Sequence, residues 1–185
     1  MDWLISIALG VGLAAATGFR VFLPLFVVSL LAHLGLGGFA VNEDFAWLGS
    51  LPAVIAFGAA TLVEVLAYAF PFVDNLLDTL AVPLAAAAGT LIALGTMVDL
   101  PPLVLWSVAL IAGGGMAGAI KGGAAATRLA SSVKTAGMGN PIVAVLETGM
   151  SVLLTVIALV LPLIAHVLVN TLAWQLVRWV RRLCP

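Results

Sequence analysis

The chain has 185 residues, 64% of them apolar and 8% charged, with a formal net charge of −1. Ordinary globular chains carry roughly a quarter charged residues and about half apolar ones, so this composition excludes a water-soluble domain and places lipid around most of the surface. Near-neutral charge with no basic block gives no footprint for nucleic acid. The one cysteine, Cys184, excludes an intrachain disulfide and a cysteine metal cluster.

A transmembrane barrel needs alternating segments of about ten residues, whereas these apolar stretches are long, unbroken and rich in Ala and Leu. The expected fold is an all-α polytopic membrane bundle of about six spans. They run from about residue 3 to 36, 51 to 70, 79 to 98, 103 to 120, 141 to 161 and 163 to 180, forming one transmembrane domain over 1–185. Gly35, Gly37, Gly38, Pro71, Pro101, Pro102 and Pro162 punctuate the stretches. Trp3, Trp47, Trp106 and Trp179 stand near span ends, where indole favours the headgroup layer. The N-terminus does not read as a secretion signal, because Asp2 replaces a basic n-region and the apolar run continues past Ala14–Ala16.

The first stretch is too long for one straight span and too short for two. Thr17, Gly18, Arg20 and Pro24 interrupt it, which predicts a broken first helix with Arg20 near mid-depth. A charge there costs roughly 2.5–3.5 kcal/mol even on lenient scales. Arg20 is therefore either a lock between helices or a clamp for an anion or carboxylate.

Glu64 and Glu147 lie at matching depths in the second and fifth spans. Each is a candidate for carrying a coupling proton or cation, or else a partner for Arg20, Lys121 or Arg128. Asp74 and Asp78, four apart with Asn75 between them, suit a helix cap, ion pairs with the basic segment, or cation binding. The segment 121–140, "KGGAAATRLASSVKTAGMGN", is polar and glycine-rich. It reads as a cytoplasmic loop or a short re-entrant helix, with Lys121, Arg128, Lys134 and Asn140 as candidate substrate contacts beside Thr127, Ser131 and Ser132. Asp99 is read as a cap or loop residue. His33 and His166 show no zinc spacing, and no nucleotide loop or nucleophile elbow occurs, so no metal, cofactor or enzymatic activity is expected.

Two passages read alike. Gly10, Ala14 and Gly18 form a small-residue ladder that Gly114, Gly118 and Gly122 repeat, and "LGSLPAVIAFGAATLVE" resembles "GMGNPIVAVLETGMSVL". With three spans per half, about 1–100 and 103–185, this predicts a 3+3 inverted repeat, a plan of many secondary transporters. Ordinary small-residue packing explains the ladders equally well, within a chain or between two copies in a homodimer. Lys121, Arg128, Lys134, Arg178, Arg181 and Arg182 predict a cytoplasmic side, and Glu43 with Asp44 the outside. Threading six spans then puts both termini in the cytoplasm.

The passages "GFRVFLPL" at 18–25, "FAWLGSLPAVIAFG" at 45–58, "VDNLLDT" at 73–79, "IAGGGMAG" at 111–118 and "GNPIVAVLE" at 139–147 resemble a bacterial integral-membrane family known only as a domain of unknown function. The resemblance covers most of the chain. It implies a compact multi-span protein and carries no activity with it. The sequence thus points to a small transporter of the bacterial inner membrane that moves a polar, anionic or lipid-phosphate substrate, with protons as the candidate coupling ion. The competing reading is a membrane scaffold or lipid-binding protein whose buried charges form a structural network.

Overall fold

Pro24 explains where the first apolar stretch divides. In a continuous helix its ring would clash with the carbonyl of Arg20 and remove a hydrogen bond, whereas in a first helical turn it is tolerated. The computed structural model accordingly has α1 (Trp3–Phe19) and α2 (Phe22–Leu34) separated by Arg20 and Val21. Residues 3–36, 41–67 and 71–162 are described, together with Thr171, Trp174, Gln175 and Arg178; for 71–79 only the backbone is described.

A 3-10 segment, Glu43–Gly49, bends by 63° into α3 (Leu51–Ala67), and α4 spans Pro71–Thr96. Then α5 (Pro102–Val108), a π-helical stretch Ala109–Gly114 and α6 (Gly115–Thr135) run on without a break. Ala136 and Gly137, both at positive φ (53 and 86), turn the chain into α7 (Asn140–Val160). No strand occurs among the described residues. Among the described residues two helices, Pro102–Thr135 and Asn140–Val160, are long and apolar enough to cross a membrane, and the bent pair Glu43–Gly49 with Leu51–Ala67 makes a third if it is one span.

α1 is apolar all round and is the central helix. Every residue from Ala8 to Gly18 is buried, against α4, α6 and α7. Small residues allow this approach. A Cβ at Gly18 would sit 2.8 Å from the Ala117 carbonyl of α6, and one at Gly113 would sit 2.9 Å from the Gly89 carbonyl of α4. Both glycine ladders are thus largely consumed within the chain: Gly10 faces Met97, while Gly114 and Gly118 face Ala86.

Hydrogen bonds fix which ends lie together. Ser6 near the start of α1 donates to the Val98 carbonyl (3.1 Å), just past the end of α4. Asn42 donates from its backbone to Gly95 (2.8 Å) and from its side chain to Met97 (3.1 Å). Ser29 of α2 donates to Leu48 (2.5 Å), and His33 bonds through Nδ1 to the Gly49 carbonyl (2.9 Å), which gives that histidine a structural role. The start of α1, the end of α2, the 3-10 segment and the end of α4 therefore share one end of the bundle, called here the acidic end after Glu43, Asp44 and Asp99. Asp99 stands there in a left-handed turn (φ 60), a conformation that short polar side chains tolerate.

These contacts correct three expectations. Residues 3–34 do not cross the bundle as one span. They enter from the acidic end, turn at Arg20 and Val21, and return, because both helices carry apolar residues (Leu9, Leu13, Val21, Leu25, Val28) into one core with Ala85, Ala88 and Ile92 of α4. Trp3 consequently stands at the end opposite the α6–α7 turn, not beside Lys134 as the six-span threading requires. Residues 121–135 are neither a loop nor a re-entrant helix; they continue α6, since Ala-rich sequence without proline favours helix. The 3+3 inverted repeat also fails, because α1 and the α5–α6 helix both run antiparallel to α4 and so run in the same sense. Trp179, Arg181, Arg182, His166 and Cys184 lie outside the described residues.

Single-cysteine variants in a Cys184→Ser background test this path. A cysteine at Glu43 and a tag preceding Trp3 are expected to label from the same side of sealed vesicles, and a cysteine at Met138 from the other. Labelling of the tag together with Met138 would restore the six-span threading.

Candidate functional site

Five ionisable side chains among the described residues are buried: Arg20, Glu64, Lys121, Arg128 and Glu147. The broken hairpin organises them. Ending α1 at Phe19 leaves carbonyls without helical partners, and starting α2 at Phe22 leaves amides. Glu64 of α3 accepts from both of the nearest amides, Val21 N–H at Oε1 (2.8 Å) and Phe22 N–H at Oε2 (3.0 Å). A carboxylate there also meets the positive end of the α2 dipole. Lys121 of α6 does the converse, its Nζ donating to the Phe19 carbonyl (3.3 Å) at the negative end of α1. Its electrostatic neighbours include Glu147, Glu64, Arg128 and Arg20, so the five charges form one electrostatic group.

Arg20, at the tip, reaches across to α7. Its Nε donates to Thr148 Oγ1 (2.9 Å) and its Nη2 to the Ala144 carbonyl (2.8 Å). Thr148 itself donates to Ala144 (2.9 Å). Above this contact Ser151 donates to the Ala16 carbonyl of α1 (3.0 Å). Arg128 and Glu147 form a bidentate ion pair between α6 and α7, through Nε to Oε1 at 2.9 Å and through Nη2 to Oε2. Such fork-to-fork pairing is the strongest geometry available to a guanidinium.

Of the residues singled out from sequence, Arg20, Glu64, Lys121, Arg128 and Glu147 come together. Lys134 does not: it is exposed in the last turn of α6, where a cation suits the helix dipole. Asn140 donates to Ser132 Oγ (2.9 Å) and ties the α6–α7 turn. Asp74, Asn75 and Asp78 lie on α4, but their side chains fall outside what is described. No group of three His, Cys, Asp or Glu residues suited to a metal occurs among the described residues.

Thr148, Ser151 and the Ala144 carbonyl are contacts that the sequence reading missed. Their signal was present as a stripe of buried residues along α7 (Ala144, Glu147, Ser151, Leu154, Thr155, Ala158) at helical spacing. Beside Arg20 lies a cavity of about 740 Å³ whose described lining includes Val65 of α3 and α7 residues from Pro141 to Val156.

Fold and site together define an all-helical bundle with membrane-length apolar helices, in which a charged helix break is held inside the protein. The chain belongs to the family described as Domain of unknown function (DUF4126), whose model matches residues 7–182. No curated protein and no solved structure matches the chain.

Removing one partner of a buried ion pair typically costs 3–5 kcal/mol, while replacing both with apolar groups is often neutral. Glu147→Ala is therefore expected to lower the unfolding free energy by about that amount, and Arg128→Met combined with Glu147→Met to recover most of it. Denaturation of the purified protein followed by tryptophan fluorescence checks this. Equal losses in the single and double variants would show that the pair is not the source.

Proposed function

We propose that this protein is a small transporter of the bacterial cytoplasmic membrane that moves an anionic substrate past the break between α1 and α2. The observation that carries this reading is Arg20, buried at an irregular point of the backbone and yet lining a cavity. Irregular backbone at membrane depth is tolerated only where protein or water covers it, and such breaks mark the binding sites of many transporters. Arg20 contacts the substrate in this account. Glu64 and Lys121 latch the hairpin tip, and a proton on Glu64 would weaken its hold on the amides of Val21 and Phe22, coupling tip movement to proton flow. Arg128 and Glu147 join α6 to α7 beneath it. The positive-inside rule places Lys134 and the α6–α7 turn in the cytoplasm and the acidic end, with Trp3, outside.

A second reading has its own support. Glu64 makes two amide bonds and Glu147 a bidentate pair, so both carboxylates have partners inside the protein, as a non-transporting scaffold requires. Flux separates the two. Reconstituted wild-type protein is expected to move labelled anions, and Glu64→Gln to reduce the flux at least tenfold at an equal amount of folded protein. No flux from the wild type for either soluble or lipid-borne phosphate would favour the scaffold.

A further inference from the structure

We infer that the cavity at Arg20 is the seat of a chain-bearing anion, a membrane lipid with a phosphate-type headgroup, which enters sideways between α3 and α7. The inference rests on the reading of Arg20 as a substrate contact and names the class of substrate. The cavity's described lining contains a single charged residue, Arg20, with Thr148 beside it. The rest of the described lining, Val65 of α3 and α7 residues between Pro141 and Val156, carries no polar side chain. Val145, Val152, Leu153 and Val156 are 45–71% exposed in the isolated chain, so in a bilayer this wall meets hydrocarbon and not water.

Dimensions and polarity agree with that occupant. From Pro141 to Val156 the α7 wall rises about 22 Å at ~1.5 Å per residue. One leaflet contributes about 15 Å, half of a hydrocarbon core of about 30 Å. Gly149–Val156 offers about 10 Å of that rise to the upper part of an acyl chain, within the length of one leaflet, and leaves the headgroup at the Ala144–Thr148 level, where Arg20 lies. A guanidinium is the side chain best matched to phosphate oxygens. A small soluble anion would use Arg20 and leave the apolar wall without a function, whereas each methylene laid on that wall adds to affinity.

Gly149 supplies a clean probe. It lines the cavity, and a Cβ built on it meets nothing within 4 Å. Gly149→Phe thus projects a ring into the chain's path while replacing glycine with a residue of higher helix propensity. Arg20→Gln removes the headgroup contact; because Arg20 also holds α7, that variant alone would confuse binding with folding.

The experiment uses the full-length protein, stripped of lipid in detergent, with binding followed by tryptophan fluorescence. Dioleoyl phosphatidic acid, dioleoyl phosphatidylcholine, dioleoylglycerol and inorganic phosphate are titrated separately. Saturable binding of phosphatidic acid, at least tenfold tighter than the other two lipids, with no response to inorganic phosphate, is the expected result. Gly149→Phe should lose at least tenfold in affinity with an unchanged melting temperature in the absence of lipid. Equal binding of all three lipids, equal binding by wild type and Gly149→Phe, or a response to inorganic phosphate matching that to phosphatidic acid would each overturn the proposal. Cross-linking of a Val152→Cys variant to the segment after Leu161 with the cavity filled by it would do the same. Selective binding without flux would sink the transport reading and leave this one standing; flux of inorganic phosphate without lipid binding would do the reverse.

Discussion

A single break in an apolar helix, capped on each side by a charge from another helix, is the feature on which the rest of this structure depends. Lys121 answers the carbonyl end of α1, and Glu64 answers the amide start of α2. In hydrocarbon an unsatisfied backbone group costs several kcal/mol, with no water to relieve it. A break at residues 20 and 21 therefore survives only if protein groups replace the lost helical bonds. A carboxylate and an ammonium do so more strongly than neutral caps, because each also meets a helix dipole of opposite sign.

Capping the break has consequences for packing. It lets α2 turn back toward the acidic end and set Val21, Leu25 and Val28 beside Leu9 and Leu13 of α1. It also points Arg20 at α7, where Thr148 and the Ala144 carbonyl receive it. The close fit of α1 against α6 at Gly18 and against α4 at Gly89, which Thr17 and Ala117 approach, fixes the height of the tip against Lys121. The site is thus assembled by backbone proximity first and by ion pairing second. A displaced α1 would lose the Phe19 cap and the Arg20 contact together.

Much of this was legible in the sequence. Composition gave the helical class, Thr17, Gly18, Arg20 and Pro24 located the break, and the cost of intramembrane charge singled out Arg20, Glu64 and Glu147, while Lys121 and Arg128 stood out only as cations of a polar segment expected to be a loop or a re-entrant helix. The return of α2 was not legible, because hydropathy counts length and carries no sign of direction: 3–36 reads the same whether it crosses or folds back. The inverted repeat was suggested by glycine ladders that arise from ordinary close packing, Gly10 against the end of α4, Gly18 against α6, and Gly114 and Gly118 against Ala86 of α4. Polar composition similarly disguised 121–135, whose buried Lys121 and Arg128 are inward-facing helix positions, while Lys134 is at the exposed end. The α7 contacts Thr148 and Ser151 were overlooked because Ser and Thr in an apolar span look like ordinary helix residues until their partners are known.

Because the account turns on the cap at α2, the backbone amides of Val21 and Phe22 are the place to test it. Hydrogen–deuterium exchange of the detergent-solubilised protein should find peptides over 19–24 strongly protected in the wild type. In Glu64→Gln the same peptides should exchange at least tenfold faster while α4 and α7 keep their protection. Unchanged protection at 19–24 in the variant would contradict the account, since the hairpin tip would then be held by something other than the carboxylate of Glu64.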